Sequence, residues 1–299
     1  MPELPDLTTY LDALEARVLG QPLEKVRVRS ISLLRTVDPP LADFEGQTVR
    51  GLRRVGKRIV FAFDRERFLV IHLMIAGRFR WRPRGAAPPG RNGHAAFDFP
   101  TGTLLLTEAG TKKRTTLHAV AGEDALAGHD RGGIEPLACS AEEFRDALTR
   151  RNHTLKRALT DPSLFAGIGN AYSDEILHRA RLSPVALSQR LDDDAIAALF
   201  HATRDTLTWW IDHLRSENGD GFPEKVTAFR PEMAAHGRHG EPCPVCQSPI
   251  QRIVHASNET NYCATCQTGG RLLADRALSR LLKKDWPRTL EELEQRRGS

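Results

Sequence analysis

Residues 161–177 read DPSLFAGIGNAYSDEIL. Two glycines in a GxG spacing, followed by Asn170 and a helical run, describe a tight turn that delivers a helix N-terminus. The bare backbone N–H groups of such a terminus can seat a phosphate, and Asn170 suits an N-cap. The stretch is a poor dinucleotide fingerprint, because no strand precedes the turn and Tyr172 stands where a third glycine would be. Alone, it reads equally well as an ordinary turn between two packed helices. Its surroundings decide.

Downstream lie CPVC and CATC, placing Cys243, Cys246, Cys263 and Cys266 as two knuckles separated by sixteen residues. Four thiolates at that spacing close a tetrahedral zinc site at the base of a hairpin and leave no coordination position open, so one Zn2+ here is structural. No thioredoxin-like βαβ pattern flanks either pair, and Cys139 reads as a small buried residue.

Upstream, Leu7, Leu11, Leu14 and Val18 fall on one face at helical spacing, with Pro5 in the first turn and Gly20 as the stop. Seven short β-rich segments follow: KVRVRSI, QTVRGL, RIVFAF, RFLVIHL, AAFDF, TLLLT and TLHAV. They predict a β-sandwich. RFRWRPRGAAPPGR (78–91) and TKKR (111–114) read as basic loops, solvated or touching phosphate. The Gly- and charge-rich residues 121–137 read as a linker, after which the pattern turns helical, with Ile196, Leu199, Phe200, Leu207, Trp210, Ile211 and Leu214 on one helix face. The expected architecture is α+β in two domains. It comprises a catalytic sandwich over 1–120, the linker, a helical domain over 138–235, a zinc finger over 236–270 and a tail over 271–299.

The 299 residues hold 43 Lys+Arg against 38 Asp+Glu, a formal +5, and 40% are hydrophobic. That excludes a disordered chain and is a mild signal for a polyanionic partner. No apolar run is long enough to span a membrane and the acidic start resembles no signal peptide, so the expectation is a cytoplasmic, nucleoid-associated monomer.

PELPD (2–6), GKR (56–58), IHL (71–73) with Gly77 shortly after, LKRALTDPSLFAGIGNAYSDEIL (155–177) and CPVC…CATCQ occur in that order. Over about residues 2–267 the chain resembles the formamidopyrimidine-DNA glycosylase and endonuclease VIII family of base-excision repair enzymes. The resemblance implies a helix-capped β-sandwich followed by a helical domain with a helix-two-turn-helix motif and a zinc hairpin. Its partner would be double-stranded DNA carrying a damaged base or abasic site. Pro2, freed of Met1, would attack the deoxyribose C1′ and form an iminium, an electron sink that lets the base leave and the strand phosphates eliminate. Glu3 would protonate the ring oxygen. Lys57 would assist base departure or touch the lesion phosphate. His72, Lys156, Gly169 and Asn170 would seat phosphates.

Three departures stand out. The void left by a flipped base would be filled by Ile75 or Met74, with Arg114 from a later loop, TEAGTKKRTTLH, that has no aromatic residue. Asn258 replaces the arginine that usually tips the zinc hairpin, and about thirty residues extend past Cys266. The expected function is a bifunctional DNA glycosylase and apurinic/apyrimidinic lyase. The alternatives are a lyase alone, or a non-catalytic zinc-finger protein that binds damaged DNA.

Overall fold

The computed structural model describes residues 1–255, 258–274 and 287–297. The chain divides into two compact units, one formed by 1–132 with 209–227 and the other by 133–208 with 228–299.

The first unit begins with α1 (Leu4–Val18), whose N-cap is Glu3 and whose first turn holds Pro5. Proline is tolerated there because the first-turn N–H has no helical partner anyway. Leu7, Tyr10, Leu14 and Val18 form its buried face. Eight strands follow: β1 (Lys25–Val28), β2 (Val49–Val55), β3 (Arg58–Phe63), β4 (Arg67–His72), β5 (Gly77–Arg82), β6 (Gly93–Phe99), β7 (Gly102–Glu108) and β8 (Thr116–Ala121). They make two four-stranded antiparallel sheets, ordered β1-β6-β7-β5 and β2-β3-β4-β8.

Alternation sets which face is which. Ile59, Phe61 and Phe63 of β3, Leu69 and Ile71 of β4, Phe79 of β5 and Leu104 and Leu106 of β7 share one buried cluster with the α1 face. Val60, Phe68, Val70 and Val120, on the opposite face of their sheet, pack with Leu126 of the short α2 (Glu123–Ala127). Residues 123–127, expected as linker, are therefore a helix that covers part of this sheet.

The stretch from Arg78 to Arg82, expected as a basic loop, is the strand β5. Phe79 and Trp81 point to the interior while the arginines alternate outward, a period of two that the high arginine content obscured. The outward arginines are already engaged. Arg80 pairs with Glu224 at 2.9 Å, Arg82 with the same carboxylate at 2.5 Å, and Arg84, just beyond the strand, with Glu24 at 2.8 Å.

Five helices follow: α3 (Ala141–Thr149), α4 (Leu155–Thr160), α5 (Asn170–Arg179), α6 (Asp193–Asn218) and, after the zinc hairpin, α7 (Ala264–Thr268). The expected helical domain 138–235 is corrected at its end, since Trp209–Thr227 belongs with the first unit. The contacts explain why: Arg215 pairs with Asp12 at 2.8 Å, Arg78 donates to the Val226 carbonyl at 2.7 Å, and Phe222 packs on Tyr10 at 5.7 Å. None of these partners is adjacent in sequence, so periodicity could not reveal them.

The second unit ends in the hairpin β9 (Ile250–His255) and β10 (Asn258–Cys263), paired from Asn258 opposite His255 to Cys263 opposite Ile250. The extension past Cys266 docks on this hairpin. Leu272 and Leu273 are buried with Ile253, Tyr262 and Ala264, and Leu290 and Leu293 of α8 (Leu290–Arg297) pack against them. The Leu273 N–H donates to the Tyr262 hydroxyl at 2.8 Å, and the Leu272 N–H to the Arg288 carbonyl at 2.8 Å. Among the described residues no helix is long and apolar enough to cross a membrane.

Candidate functional site

In the first unit, the chain start is enclosed rather than frayed. Pro2 is buried and Glu3 is 3% exposed. The Glu3 N–H donates to Asp6 Oδ2 at 3.0 Å, one half of a reciprocal capping box that fixes the entry into α1. Burial pushes the Met1 amine below its ordinary value. Glu3 and Asp6 oppose that shift, while Arg78 and Lys57 add to it. A terminal amine held here is thus biased toward the neutral, nucleophilic form.

Lys57 follows Gly56, whose φ of +57° makes the turn from β2 into β3. Arg58 opens β3 and pairs across the strands with His72, the last residue of β4. His72 is held neutral, its pKa lowered to about 4 by burial and then by Arg58, Lys57 and His118. Lys57 therefore acts on both the chain-start amine and His72, which places these sequence-predicted residues in one neighbourhood.

Ile75 stands 59% exposed on the turn from β4 to β5, where Met74 takes φ +53°. The turn closes at Gly77, and no other residue fits there: a Cβ would lie 2.2 Å from the Leu73 carbonyl oxygen and 2.5 Å from Thr115 Oγ1. Thr115 Oγ1 donates to that same carbonyl at 3.2 Å, linking the Ile75 turn to the loop that carries Arg114. That loop hangs on Glu108, a residue the sequence reading passed over. The Glu108 carboxylate, 1% exposed, accepts the N–H of Arg114 at 3.0 Å and of Thr115 at 3.2 Å, with His94 Nε2 at 3.2 Å behind it. The Arg114 side chain is left exposed.

In the second unit, Gly167 takes φ +83° in the turn, and Gly169 rather than Asn170 is the N-cap of α5. Asn170 instead donates its side-chain amide to the Glu259 carbonyl at 2.9 Å, tying the helix start to β10. Lys156 donates to the Asn170 carbonyl at 2.6 Å and pairs with Asp174 at 2.5 Å. Asp174 is fully buried, and its other oxygen meets His236 Nδ1 at 2.7 Å. Glu175 accepts three successive backbone N–H groups, from Ala234, Ala235 and His236, at 2.7, 2.9 and 2.8 Å. Burial raises its pKa against those bonds. Neither acid was singled out from sequence, where DE inside a helix reads as a solvated face. No signal in the sequence marks them: every residue from Ala171 to His178 is buried, which only the tertiary structure sets.

The four cysteines converge. Their sulfurs lie within 4.8 Å of one another, with Cys243 to Cys266 at 3.9 Å and Cys246 to Cys263 at 3.3 Å, close to the edges of a tetrahedron around one Zn2+. The Val245 and Cys266 N–H groups point at Cys243 and Cys263 sulfurs at 3.4 Å, and His178 Nε2 of α5 lies 3.2 Å from Cys243 Sγ. Donors to sulfur of this kind suit thiolates bound to a metal. Asn258 opens β10, and its side chain lies outside the described residues.

Comparison with known proteins places this geometry. Residues 1–115 match the formamidopyrimidine-DNA glycosylase N-terminal domain, 133–217 its H2TH domain, and 240–269 the zinc finger found in FPG and IleRS. A formamidopyrimidine-DNA glycosylase of Heliobacterium modesticaldum is 34% identical over 281 residues, covering 89% of this chain and all of the relative. The solved structure of MutM in complex with carbocyclic 8-oxo-G containing DNA superposes with a TM-score of 0.78 at 26% identity, covering 89% of this chain and 100% of that one. A Lactococcus lactis Fpg complex with abasic-site DNA gives 0.78 at 25%, covering 89% and 99%.

Proposed function

This chain belongs to the formamidopyrimidine-DNA glycosylase family, and on that premise we propose that Pro2, once Met1 is removed, is the nucleophile of a bifunctional glycosylase and lyase. The observation that carries this is the enclosed Pro2–Glu3 start, where burial lowers the Met1 amine and Lys57 adds to that shift. As a member of the family, the chain is a DNA glycosylase of base excision repair that holds one structural Zn2+. Its partner is duplex DNA with a damaged base or an abasic site, as in the two neighbouring complexes. It acts at the nucleoid.

The Pro2 nitrogen lone pair attacks the sugar C1′, and the bond from C1′ to the base breaks with the electron pair leaving on the base. As the C1′–O4′ bond breaks, Glu3 gives its proton to the ring oxygen, the Pro2 N–H proton passes to the departing base, and the product is an iminium between Pro2 and C1′. A secondary amine makes that cation without needing a proton, and the cation acidifies the neighbouring C2′–H for phosphate elimination. Such proton transfer contributes about 10²- to 10⁴-fold. Lys57 and His72 seat the lesion phosphate, while Lys156, Gly169 and Asn170 support a second phosphate seat on the other unit, beside the Asn258 hairpin.

Ile75 and Arg114 fill the space the flipped base vacates. Because that pair lacks an aromatic wedge, discrimination of the opposite base is weak, and 8-oxoguanine opposite cytosine is a poorer substrate than oxidised pyrimidines, ring-opened purines or abasic sites. Single-turnover excision of 8-oxoguanine opposite each of the four bases, beside an oxidised pyrimidine in the same sequence, tests this. Fast removal selective for cytosine would overturn it.

A further inference from the structure

The outer face of the sheet β2-β3-β4-β8 is divided in two. One half is apolar, with Val60, Phe68, Val70 and Val120 under Leu126 of α2. By the same alternation, Arg58, His72 and His118 occupy the other half, where Arg58 sits opposite His72 and Val70 opposite His118. The segment after α2 adds His129, whose ring meets that of His118 edge-on at a centroid distance of 4.8 Å, and whose carbonyl accepts from Arg58 Nη1 at 3.0 Å.

Among the described residues, cations dominate the charges that act at this corner. Lys57 and Arg58 act on His72, Arg58 and Arg35 on His118, Arg58 on His129, and Arg131 on Arg58. The carboxylate felt by Arg58 is that of Asp130, which is exposed and accepts the Gly132 N–H at 2.9 Å. Arg58 forms no ion pair among the described residues, and His72 Nε2 is buried without a hydrogen-bond partner. Elsewhere on the same unit half-exposed arginines are matched by carboxylates, as Arg53 is by Glu123 at 2.6 Å and Arg50 by Asp64 at 2.7 Å. A half-buried guanidinium such as that of Arg58 is costly to hold without an anion beside it.

We propose that Arg58, His118 and His129 form a further DNA-phosphate seat beside Lys57 and His72, and that the histidines take up a proton when the phosphate arrives. The inference rests on the DNA-repair reading above, and deepens it by adding residues and a proton to the binding step. In the free protein, burial and the neighbouring cations keep these imidazoles neutral. A phosphate oxygen beside them reverses the sign of the nearest charge and favours the protonated form. DNA binding then strengthens as pH falls, by up to about tenfold per pH unit for each proton taken up.

The test is equilibrium binding of the full chain to a short duplex with an uncleavable abasic analogue, titrated with salt at pH 7.5 and again at pH 6.0. For Arg58→Gln the slope of log K against log salt is expected to shrink by about 0.9, the loss of one phosphate contact, with Arg58→Lys restoring it. The wild-type gain in affinity between pH 7.5 and 6.0 is expected to shrink in the His118→Gln, His129→Gln double variant. Circular dichroism and zinc content check that each variant is folded, and a single methylphosphonate at the contacted position should abolish the difference between wild type and Arg58→Gln. Wild-type slope and pH response in these variants, together with weakened binding by Lys57→Ala, would overturn the seat and leave the DNA reading intact. Failure of the wild-type chain to bind the duplex at all would overturn both.

Discussion

Glu108 accepts the backbone N–H of Arg114 on both carboxylate oxygens, each at 3.0 Å, from a position 1% exposed. A loop rich in glycine, lysine and threonine therefore has a fixed root. The Lys113 ammonium reaches the Glu108 carbonyl, so the residue holds its loop from both main chain and side chain. Glu108→Ala leaves the Arg114 and Thr115 N–H groups without their acceptor. We expect a loss of about 1–3 kcal/mol in stability and a larger fall in base excision than in cleavage of a preformed abasic site. Thermal unfolding with paired single-turnover assays measures both. Equal losses on the two substrates would mean that the loop does not act on the flipped base.

Glu3 is the proton donor in the proposed sequence, and its capping box keeps it at the amine. Glu3→Gln preserves size and removes the acid. Base excision should fall about 10²-fold or more while duplex affinity stays within a few fold, and reaction at a preformed abasic site should suffer less. Wild-type excision by this variant would remove Glu3 from the chemistry.

The zinc site and α5 are joined through His178 and Cys243 at 3.2 Å and through Asn170 and Glu259 at 2.9 Å. Cys263→Ser, or chelation, should release the metal, loosen the hairpin and abolish DNA binding. Structural zinc contributes on the order of 10 kcal/mol to folding such a hairpin. The docked tail modifies that expectation, because Leu272, Leu273 and Leu290 give the far side of the hairpin an apolar core of its own. Truncation after Gly270 should therefore make metal loss faster, read as zinc release to a chromogenic chelator. Unchanged release would show that the tail adds nothing to the finger.

Two histidines contribute strongly to the pH response of stability. His72 and His118 each have their pKa lowered from 6.5 to about 4, by burial first and neighbouring cations second. The unfolded chain binds protons on these residues near pH 6.5 and the folded chain only near pH 4. Their contribution is complete above about pH 6.5 and is lost as pH falls toward 4. The drop in unfolding midpoint between pH 7 and pH 5 should shrink in His118→Gln. An undiminished drop would assign the acid lability to other groups.

The order of motifs made the fold legible because each carries local chemistry. Pro5 at a helix start, glycines in the turn before Asn170 and paired CxxC knuckles each force a backbone feature without help from distant residues. Strand alternation was legible where apolar residues alternated with polar ones, and was missed at β5, where Arg78, Arg80 and Arg82 swamped the signal from Phe79 and Trp81. The site was legible in its reactive residues and hidden in their supports. Glu108, Asp174, Glu175 and His236 act through partners 6 to 62 positions away, a relationship that only the tertiary structure sets. Lys156 was legible as a site residue but not as one bound at 2.5 Å to a buried aspartate.

In the proposed reaction the nitrogen of Pro2 becomes bonded to the sugar. Borohydride trapping on duplex DNA with an abasic site, using protein whose loss of Met1 is verified by intact mass, tests it most directly. A stable one-to-one protein–DNA adduct is expected, with the sugar remnant on Pro2 in the N-terminal peptide, and no adduct there from protein that retains Met1. Absence of any adduct from Met1-free protein that binds the same duplex, or an adduct mapped to a lysine such as Lys57, would contradict it.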